Sequence, residues 1–167
     1  MNYHIYPLTT TDESIVWEML RYAAQQPSIE SVRSQPYLAR YAIDWGRTGD
    51  FGCVAYSDDI PIGAAWLRLW LGEDKGFGYI SDDIPELGFA VLPDYRGMKI
   101  GTQLLKKVLQ VARERVPAVS LSVRSDNFII RLYERSGFVK VAGSEHTNQL
   151  GSVSFTMICQ FESSRSD

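Results

Sequence analysis

The chain has 167 residues, of which 45% are hydrophobic and 22% charged, and its formal net charge at pH 7 is -3. This length suits one domain with a full core, and the composition is ordinary for a soluble globular protein. A mildly acidic chain does not have the basic surplus of a general nucleic-acid binder, so no nucleic-acid partner is expected.

Cysteine, histidine and hydropathy patterns exclude further classes. Cys53 and Cys159 lie far apart in strand-like runs, which favours buried thiols, and His4 and His146 are the only histidines. Neither a metal site nor a Ser-His-Asp triad is therefore expected. The amino terminus has no basic start followed by an apolar stretch, and no apolar run approaches ~20 residues. We expect a cytoplasmic protein without a membrane span.

The first half of the chain predicts a strand at residues 3–8, a helix that follows a cap at Thr10, Thr11 or Asp12, and a less regular helical region at residues 28–47. A hairpin of residues 51–57 and 61–71 comes next, and a glycine-rich connector at residues 72–85 follows it. A short strand at 77–80 is expected inside the connector.

The second half predicts an alternation of strands and helices. The helix that we predict most clearly spans residues 101–115, where Leu104, Leu105 and Val108 recur at helical spacing. The other segments are strands at 86–92, 118–123, 138–143 and 152–161, and a short helix from a cap at Asp126 or Asn127 to Arg135, with Gly137 just beyond it. This order predicts one mixed α/β domain over residues 1–161 and a polar tail at 162–167.

A basic, glycine-marked turn joins the strand at 86–92 to the long helix. Arg96, Gly97, Lys99 and Gly101 stand where the helix begins. Backbone N–H groups without partners and a partial positive charge make a helix start a good seat for phosphate, and glycine permits close approach. The turn has neither the GxxxxGK pattern of a P-loop nor the GxGxxG of a dinucleotide fold. Spacing alone leaves a plain turn and a phosphate seat equally open.

Two stretches taken together carry a family resemblance. "YRGMKIGTQLL" (residues 95–105) and "SDNFIIRLYERSGF" (residues 125–138) resemble, in order, the two signature regions of the GNAT superfamily of acyl-CoA-dependent N-acyltransferases. Arg96 and Gly101 match the ends of the first pattern. The second region matches through Asn127, Leu132, Tyr133, Gly137 and Phe138.

The resemblance implies a fold and a cofactor site. The fold would be one GNAT-like domain of α/β (α+β) class, with a central mixed, mostly antiparallel sheet flanked by helices and splayed strands at the cofactor site. Acetyl-CoA would rest its pyrophosphate on the turn and its pantetheine arm beside the preceding strand. Asn127 would contact that arm, or cap a helix, or do both. The implied cofactor-binding residues are Phe89, Ala90, Val91, Arg96, Gly97, Met98, Lys99, Ile100, Gly101, Thr102 and Asn127.

Lys99 departs from the family pattern, which usually has glycine at this position. A positive φ there would carry a steric cost for lysine, whereas a helical φ would not. Because the neighbouring glycines are retained, we expect the helical φ, with the Lys99 ammonium adding attraction for phosphate.

The resemblance also implies the catalytic groups. Glu86 is the candidate base, because alternation places it on one strand face with Gly88 and Ala90, whose small side chains would leave room for a substrate. Asp82 and Asp83 are reserve candidates. Tyr133 is the candidate acid for the departing thiolate, and a backbone N–H near Val91 would bind the oxyanion. The plain alternatives are a solvated strand-end glutamate and a packed helix tyrosine.

The resulting hypothesis is an N-acetyltransferase. It would move acetyl from acetyl-CoA to a primary amine of an unidentified small molecule or peptide, by direct attack in a ternary complex. The alternatives are a non-catalytic acyl-CoA sensor or structural module, and an interaction domain without a cofactor. A homodimer through the last strands stays open. Six aromatic residues are expected mainly in the core, with an acceptor pocket as the alternative, namely Trp17, Trp45, Trp66, Trp70, Tyr37 and Tyr41.

Overall fold

The computed structural model describes residues 2–147 and 151–162, so most of the predicted tail at 162–167 lies outside the described residues. The strands are β1 His4–Pro7, β2 Phe51–Ser57, β3 Ile60–Arg68, β4 Glu86–Val91, β5 Ala118–Arg124, β6 Val139–Lys140, β7 His146–Thr147 and β8 Val153–Gln160. The helices are α1 Glu13–Ala23, α2 Ile29–Arg33, α3 Pro36–Ala39, α4 Ile100–Arg113 and α5 Ile129–Arg135, with a 3-10 helix at Pro93–Tyr95.

The strands follow the order β1-β2-β3-β4-β5-β8-β6, and β7 also pairs with β8. β1 with β2, β2 with β3, and β8 with β5, β6 and β7 are all antiparallel pairs. β4 and β5 are parallel, and their register joins the pair Glu86 and Ser120. The predicted mixed, mostly antiparallel sheet with flanking helices is confirmed.

The chain forms two compact units. The first unit comprises Met1–Arg68 and Leu87–Val108, and the second comprises Leu69–Glu86 and Leu109–Asp167, so far as these residues are described. Each unit has its own group of buried apolar side chains. In the first unit these include Val16, Met19, Ala42, Ile62, Leu67, Leu104 and Leu105. In the second unit they include Trp70, Ala112, Val119, Leu121, Phe138 and Met157.

The connector between β3 and β4 differs from the prediction. Residues 77–80 form a turn and irregular backbone rather than a strand. The reason is a close approach at Gly78, where a Cβ would lie 2.7 Å from the Leu121 carbonyl carbon of β5. The hairpin strand β3 also ends earlier than expected, at Arg68, and Leu71 is 63% exposed. The two-residue strand β7 was not predicted, because so short a segment has no readable alternation.

A buried ion pair ties the segment before β2 to the sheet in the first unit. Arg68 Nη2 lies 2.8 Å from Asp50 Oδ2, and both side chains are 1% exposed. Arg68 Nη1 donates to the carbonyls of Arg40 and Ile43, at 2.9 and 2.6 Å. Asp50 Oδ2 also accepts the backbone N–H of Gly46 at 3.0 Å. The guanidinium thus satisfies polar groups of a segment that has little regular structure of its own.

Replacing Arg68 with methionine should lower the free energy of unfolding by about 3–5 kcal/mol, because it leaves the buried Asp50 carboxylate without its charge partner. Urea denaturation of both proteins measures the difference. Arg124→Met is the matched control, since the Arg124–Asp126 ion pair is 50% and 69% exposed. The control should change the free energy by less than about 1 kcal/mol. Equal losses in the free energy of unfolding would contradict the prediction, because the buried ion pair would then contribute no more to stability than the exposed one.

Candidate active site

The turn after β4 has the backbone form of an anion seat. β4 ends at Val91, a 3-10 helix follows, and α4 begins at Ile100. Gly97 has φ +81°, and a Cβ there would meet no heavy atom of the described residues within 4 Å. The first N–H groups of a helix have no intrahelical acceptor, and the helix dipole makes that end positive. Open space beside a left-handed glycine and a helix start fits a phosphate group.

Lys99 has φ +66°, so the expectation of a helical φ at this position is wrong. Its carbonyl accepts the N–H of Gln103 at 3.2 Å, which makes Lys99 the residue that caps the start of α4. A left-handed conformation costs a residue with a Cβ roughly 1–2 kcal/mol. The family's usual glycine would avoid this cost. The Lys99 side chain is exposed, so its ammonium adds positive charge beside the helix start.

Arg96 stabilises the turn through its own side chain. Its Nε donates to the Val91 carbonyl at 2.9 Å and ties the turn to the end of β4. The N–H of Leu92 donates to the Ile62 carbonyl of β3 at 2.8 Å, which fixes the same strand end from the other side. These hydrogen bonds therefore fix the start of the turn. Gly97 and Lys99, which have positive φ, form its second half.

The side chains of β4 are mostly buried, and the Trp66 ring occupies the space expected beside Gly88. Phe89, Ala90 and Val91 are 8%, 5% and 8% exposed, so a ligand along this strand would meet mainly its backbone. The interpretation that Gly88 leaves room for a substrate is wrong. A Cβ at Gly88 would overlap the indole of Trp66, so the glycine accommodates this ring.

Glu86, in the second unit, is a buried carboxylate. It is 2% exposed, so the solvated strand-end alternative is wrong. Its Oε1 accepts the indole N–H of Trp70 at 3.0 Å. Gly76 lies so close that a Cβ there would overlap both the carboxylate and the indole. The connector between β3 and β4 therefore covers Glu86, and a solvent-borne amine would need an intermediary to reach its carboxylate.

The reserve carboxylates behave as loop residues. Asp82 and Asp83 are exposed. Asp82 Oδ1 accepts the hydroxyl of Tyr79 at 2.6 Å, and Asp83 Oδ1 accepts the hydroxyl of Ser81. These local hydrogen bonds shape the end of the connector, which favours the loop interpretation over a direct catalytic one.

Tyr133 is buried on α5. It is 7% exposed, and its ring packs on Phe138 with centroids 5.7 Å apart. The Tyr133 carbonyl accepts the Phe138 N–H at 3.0 Å, and Gly137 between them has φ +106°, as expected for the residue beyond a helix end. Burial raises the pKa of the Tyr133 phenol above its ordinary value. The phenol is therefore neutral, and hence a hydrogen-bond donor, at physiological pH.

Asn127 lies just before α5, one residue ahead of the N-cap position, which Phe128 occupies. Its Oδ1 accepts the Ile129 N–H at 3.0 Å, so its side chain satisfies the first N–H of the helix from that neighbouring position. Asp126, the other predicted cap, instead forms an exposed ion pair with Arg124 at 2.9 Å. The Asn127 side chain also carries an amide NH2 group, which the hydrogen bond to Oδ1 does not use. This interaction is therefore compatible with a second role for Asn127 as a hydrogen-bond donor.

The cysteines and most of the aromatic residues belong to the interior. Burial raises the pKa of Cys53 to about 12, and burial also raises the pKa of Cys159. Neither thiol is therefore an activated nucleophile. The core interpretation is confirmed for Trp17, Trp45, Trp66, Trp70 and Tyr41, whereas Tyr37 is 49% exposed.

Among the predicted residues, the structure gathers Phe89 to Thr102 in the first unit and Glu86, Asn127 and Tyr133 in the second. The polar contact of Trp70, the close approach of Gly76 and the pairing of Ser120 with Glu86 were not predicted from the sequence. Each depends on residues far apart in sequence, and no local pattern signals them.

The family model described as Acetyltransferase (GNAT) family matches residues 15–138. The chain belongs to the GNAT acetyltransferase family. The match begins within α1, runs through α5 and includes both signature regions. The GNAT resemblance inferred from the sequence is thereby confirmed. A search of curated protein sequences finds no significant match.

Solved structures of GNAT proteins share the fold. The ribosomal-protein-S18-alanine N-acetyltransferase from Escherichia coli is 20% identical, with TM-score 0.70 and coverage of 99% of this chain and 98% of that one. The protein yncA from Salmonella typhimurium, a proposed acetyltransferase solved with its cofactor acetyl-CoA, is 20% identical, with TM-score 0.71 and coverage of 100% and 98%. A GNAT-family acetyltransferase from Streptococcus pneumoniae is 15% identical, with TM-score 0.67 and coverage of 96% and 100%.

In the described part of the chain, no group of three or more His, Cys, Asp or Glu side chains is arranged to hold a metal ion. Within residues 2–147 and 151–162, no helix has the length and apolar character needed to cross a lipid bilayer.

Proposed function

We propose that this GNAT protein is an N-acetyltransferase that moves acetyl from acetyl-CoA to a primary amine of a small molecule or peptide. Residues 1–161 would form the acetyltransferase domain. The observation that carries the proposal is the turn from Arg96 to Thr102, with its left-handed Gly97 and Lys99 at the start of α4. Family membership over residues 15–138 supports it.

The residues of the turn fit the anionic part of acetyl-CoA. The N–H groups at the start of α4 would donate hydrogen bonds to the pyrophosphate oxygens, and the exposed Lys99 ammonium would add attraction. The backbone of Phe89 to Val91 would pair with the pantetheine arm, with a contact from Asn127. When bound, acetyl-CoA supplies a thioester whose carbonyl carbon can be attacked.

Glu86 would act as the base. An alkyl amine with a pKa of about 10.4 is protonated at neutral pH and has no lone pair for attack until a base removes a proton. The Trp70 indole N–H at 3.0 Å keeps the Glu86 carboxylate in one orientation. Because Glu86 is 2% exposed, we propose that its proton transfer passes through an intermediary rather than by direct contact with the amine.

Tyr133 would stabilise the leaving thiolate. Attack by the amine nitrogen forms an N–C bond and breaks the C–S bond, so negative charge develops on sulfur. A phenol whose pKa is raised by burial remains protonated and donates a hydrogen bond to that charge. Complete transfer of its proton to a thiolate with a pKa of roughly 8.5 is uphill, so hydrogen-bond donation would be the main contribution. A backbone N–H near Val91 would bind the oxyanion.

Direct attack is preferred to an acyl-enzyme route. A covalent route needs an activated thiol, and burial raises the pKa of both Cys53 and Cys159. The amine would therefore attack the thioester within a ternary complex.

The test of the proposed activity is release of free thiol from acetyl-CoA in the presence of an amine panel. The panel holds polyamines, amino acids, aminoglycosides and peptides with a free amino-terminal alanine. Thiol release that depends on one amine, with the acetylated amine found by mass spectrometry, is the expected result. Acetyl-CoA binding without thiol release for any amine would favour the sensor alternative.

Lys99 variants separate backbone strain from charge at the turn. Lys99→Gly removes both the ammonium and the steric cost of φ +66°, whereas Lys99→Ala removes only the ammonium. Both should weaken acetyl-CoA binding by about two- to fivefold at low salt, the size expected for an exposed charge. Only Lys99→Gly should raise the melting temperature, because the strain is present in the free protein as well.

Calorimetric titration of acetyl-CoA and thermal denaturation supply the two measurements. Tighter binding to Lys99→Gly than to the original protein would show that the strain opposes the cofactor. An unchanged affinity in both variants would remove the Lys99 ammonium from the site.

A further inference from the structure

Three aromatic side chains gather on one face of the sheet in the first unit, where β1 pairs with β2. The antiparallel register places His4 opposite Tyr56. Side chains two residues apart on a strand share a face, so Tyr6 lies on the same face as His4. The ring centroids of Tyr6 and Tyr56 are 5.9 Å apart, and those of His4 and Tyr6 are 6.3 Å apart. We call His4, Tyr6 and Tyr56 the edge cluster.

The edge cluster is open to solvent. His4 is exposed, Tyr6 is 51% exposed and Tyr56 is partly exposed. The ring planes of Tyr6 and Tyr56 meet at 66°. Rings that meet at a steep angle turn two π faces toward one corner, and each face carries the negative part of the ring quadrupole. Such a corner attracts an organic cation that lies within about 6 Å of the ring centres.

The charges around the edge cluster also favour a cation. Residues 2–14 and 51–60 form β1, β2, the start of α1 and the turn after β2, and they contain no lysine or arginine. Their carboxylates are those of Asp12, Glu13, Asp58 and Asp59. Burial and the nearby Asp12 carboxylate raise the pKa of the Tyr56 phenol, which places a negative charge within electrostatic reach of the cluster.

We propose that the edge cluster binds a small molecule that carries a quaternary ammonium group, with the cation against the ring faces of Tyr6 and Tyr56. A quaternary ammonium has no N–H to donate to a carboxylate, so aromatic faces are the surface that recognises it best. Asp12 adds attraction from outside the rings.

This ligand differs from the acceptor amine of the proposed acetyltransferase function. A quaternary nitrogen has neither a proton to lose nor a lone pair for attack on a thioester, so it cannot be acetylated. The edge cluster is therefore a second binding site, and the inference does not depend on the proposed function.

Plain packing of two tyrosines would explain the ring geometry alone, since aromatic pairs at this distance and angle are common in proteins. It would not explain why the rings face solvent while every Asp, Glu, Lys or Arg of the surrounding segments is acidic. The two observations together carry the proposal, because a cation site needs both open π faces and a negative potential.

Titration of the intact protein with choline, followed by NMR, tests the site. The ring-proton shifts of His4, Tyr6 and Tyr56 should move together and give a single Kd in the millimolar range. The neutral isostere of choline, in which carbon replaces the nitrogen, should bind at least about fivefold more weakly because it lacks the cation–π attraction. Ethanolamine, whose primary ammonium is strongly hydrated, should also bind more weakly than choline.

Tyr6 variants separate the ring from its hydroxyl. Tyr6→Leu should weaken choline binding about fivefold, whereas Tyr6→Phe retains the π face and should keep the Kd within about twofold. Tyr37→Leu is the matched control, because Tyr37 is 49% exposed and lies outside the edge cluster. It should leave the Kd unchanged.

Asp12→Asn tests the contribution of charge. Asp12 Oδ2 accepts the Thr9 N–H at 2.8 Å, and the asparagine oxygen can accept the same N–H. The substitution should therefore weaken choline binding about twofold at low salt, the size expected for an exposed charge, and leave the fold intact.

Equal affinity for choline and its neutral isostere would overturn the proposal, because binding would then be a hydrophobic contact only. Unchanged ring-proton shifts at saturating choline, or equal binding by Tyr6→Leu and the original protein, would overturn it as well. Each of these results leaves the acetyltransferase proposal standing, because acetyl-CoA binding and thiol release are measured without choline.

Discussion

Replacing Tyr133 with phenylalanine should lower kcat about 10³-fold and leave the Kd for acetyl-CoA within about twofold of the original value. The substitution removes only the phenol oxygen, and the ring keeps its packing on Phe138, whose centroid lies 5.7 Å away. The leaving thiolate then loses its hydrogen-bond donor in the transition state, whereas ground-state binding of acetyl-CoA is unaffected. Steady-state kinetics and calorimetry measure the two quantities.

Tyr79→Phe is the matched control, because the Tyr79 hydroxyl bonds to the exposed Asp82 rather than to a buried site. It should leave kcat unchanged. Since burial raises the pKa of Tyr133, its phenol stays protonated as pH rises, and no loss of kcat from this group is expected below about pH 10. An undiminished kcat in Tyr133→Phe would remove Tyr133 from the mechanism.

Replacing Glu86 with glutamine should also lower kcat, by about 10³-fold, because an amide cannot accept the amine proton. Glutamine is nearly the same size, and its side-chain oxygen can still accept the Trp70 indole N–H that Glu86 Oε1 accepts at 3.0 Å. The fold and acetyl-CoA affinity should therefore be preserved, which thermal denaturation and calorimetry check.

Asp82→Asn and Asp83→Asn are the comparison variants, since both carboxylates are exposed and lie in the same connector. They should retain kcat. A large loss in either of them with full activity in Glu86→Gln would move the base from β4 to the connector.

Local patterns in the sequence predicted most of the elements. Helix α4 was predicted from apolar residues at helical spacing, and it begins one residue earlier than predicted. The hairpin of β2 and β3 followed from alternating apolar runs, and the predicted turn at Asp58 has φ +54°. Such features depend on residues near one another in the chain, where periodicity and turn chemistry act directly.

The errors share a physical cause, which is tertiary packing. Gly88 was read as room for a substrate, yet its missing Cβ accommodates the Trp66 ring. Lys99 was expected to have a helical φ, but its φ is +66° in the turn between β4 and α4. Neither outcome is encoded within a few residues of the position concerned.

The surroundings of the candidate base show the same limit. Glu86 was identified by its place in the family pattern, but its partners Trp70 and Ser120 come from other parts of the chain. The contact with Trp70 spans 16 residues, and the pairing with Ser120 depends on the order of strands in the sheet. The identity of a site residue was therefore predictable, whereas its burial and its hydrogen bonds required the fold.

Calorimetric titration of acetyl-CoA into the purified protein shows whether the turn at Arg96 to Thr102 seats this cofactor. We expect one binding site with a Kd in the micromolar range, and weaker binding as salt screens the phosphate charge. Absence of binding at millimolar acetyl-CoA would contradict it, and the chain would then share the GNAT fold without the acetyltransferase function proposed for it.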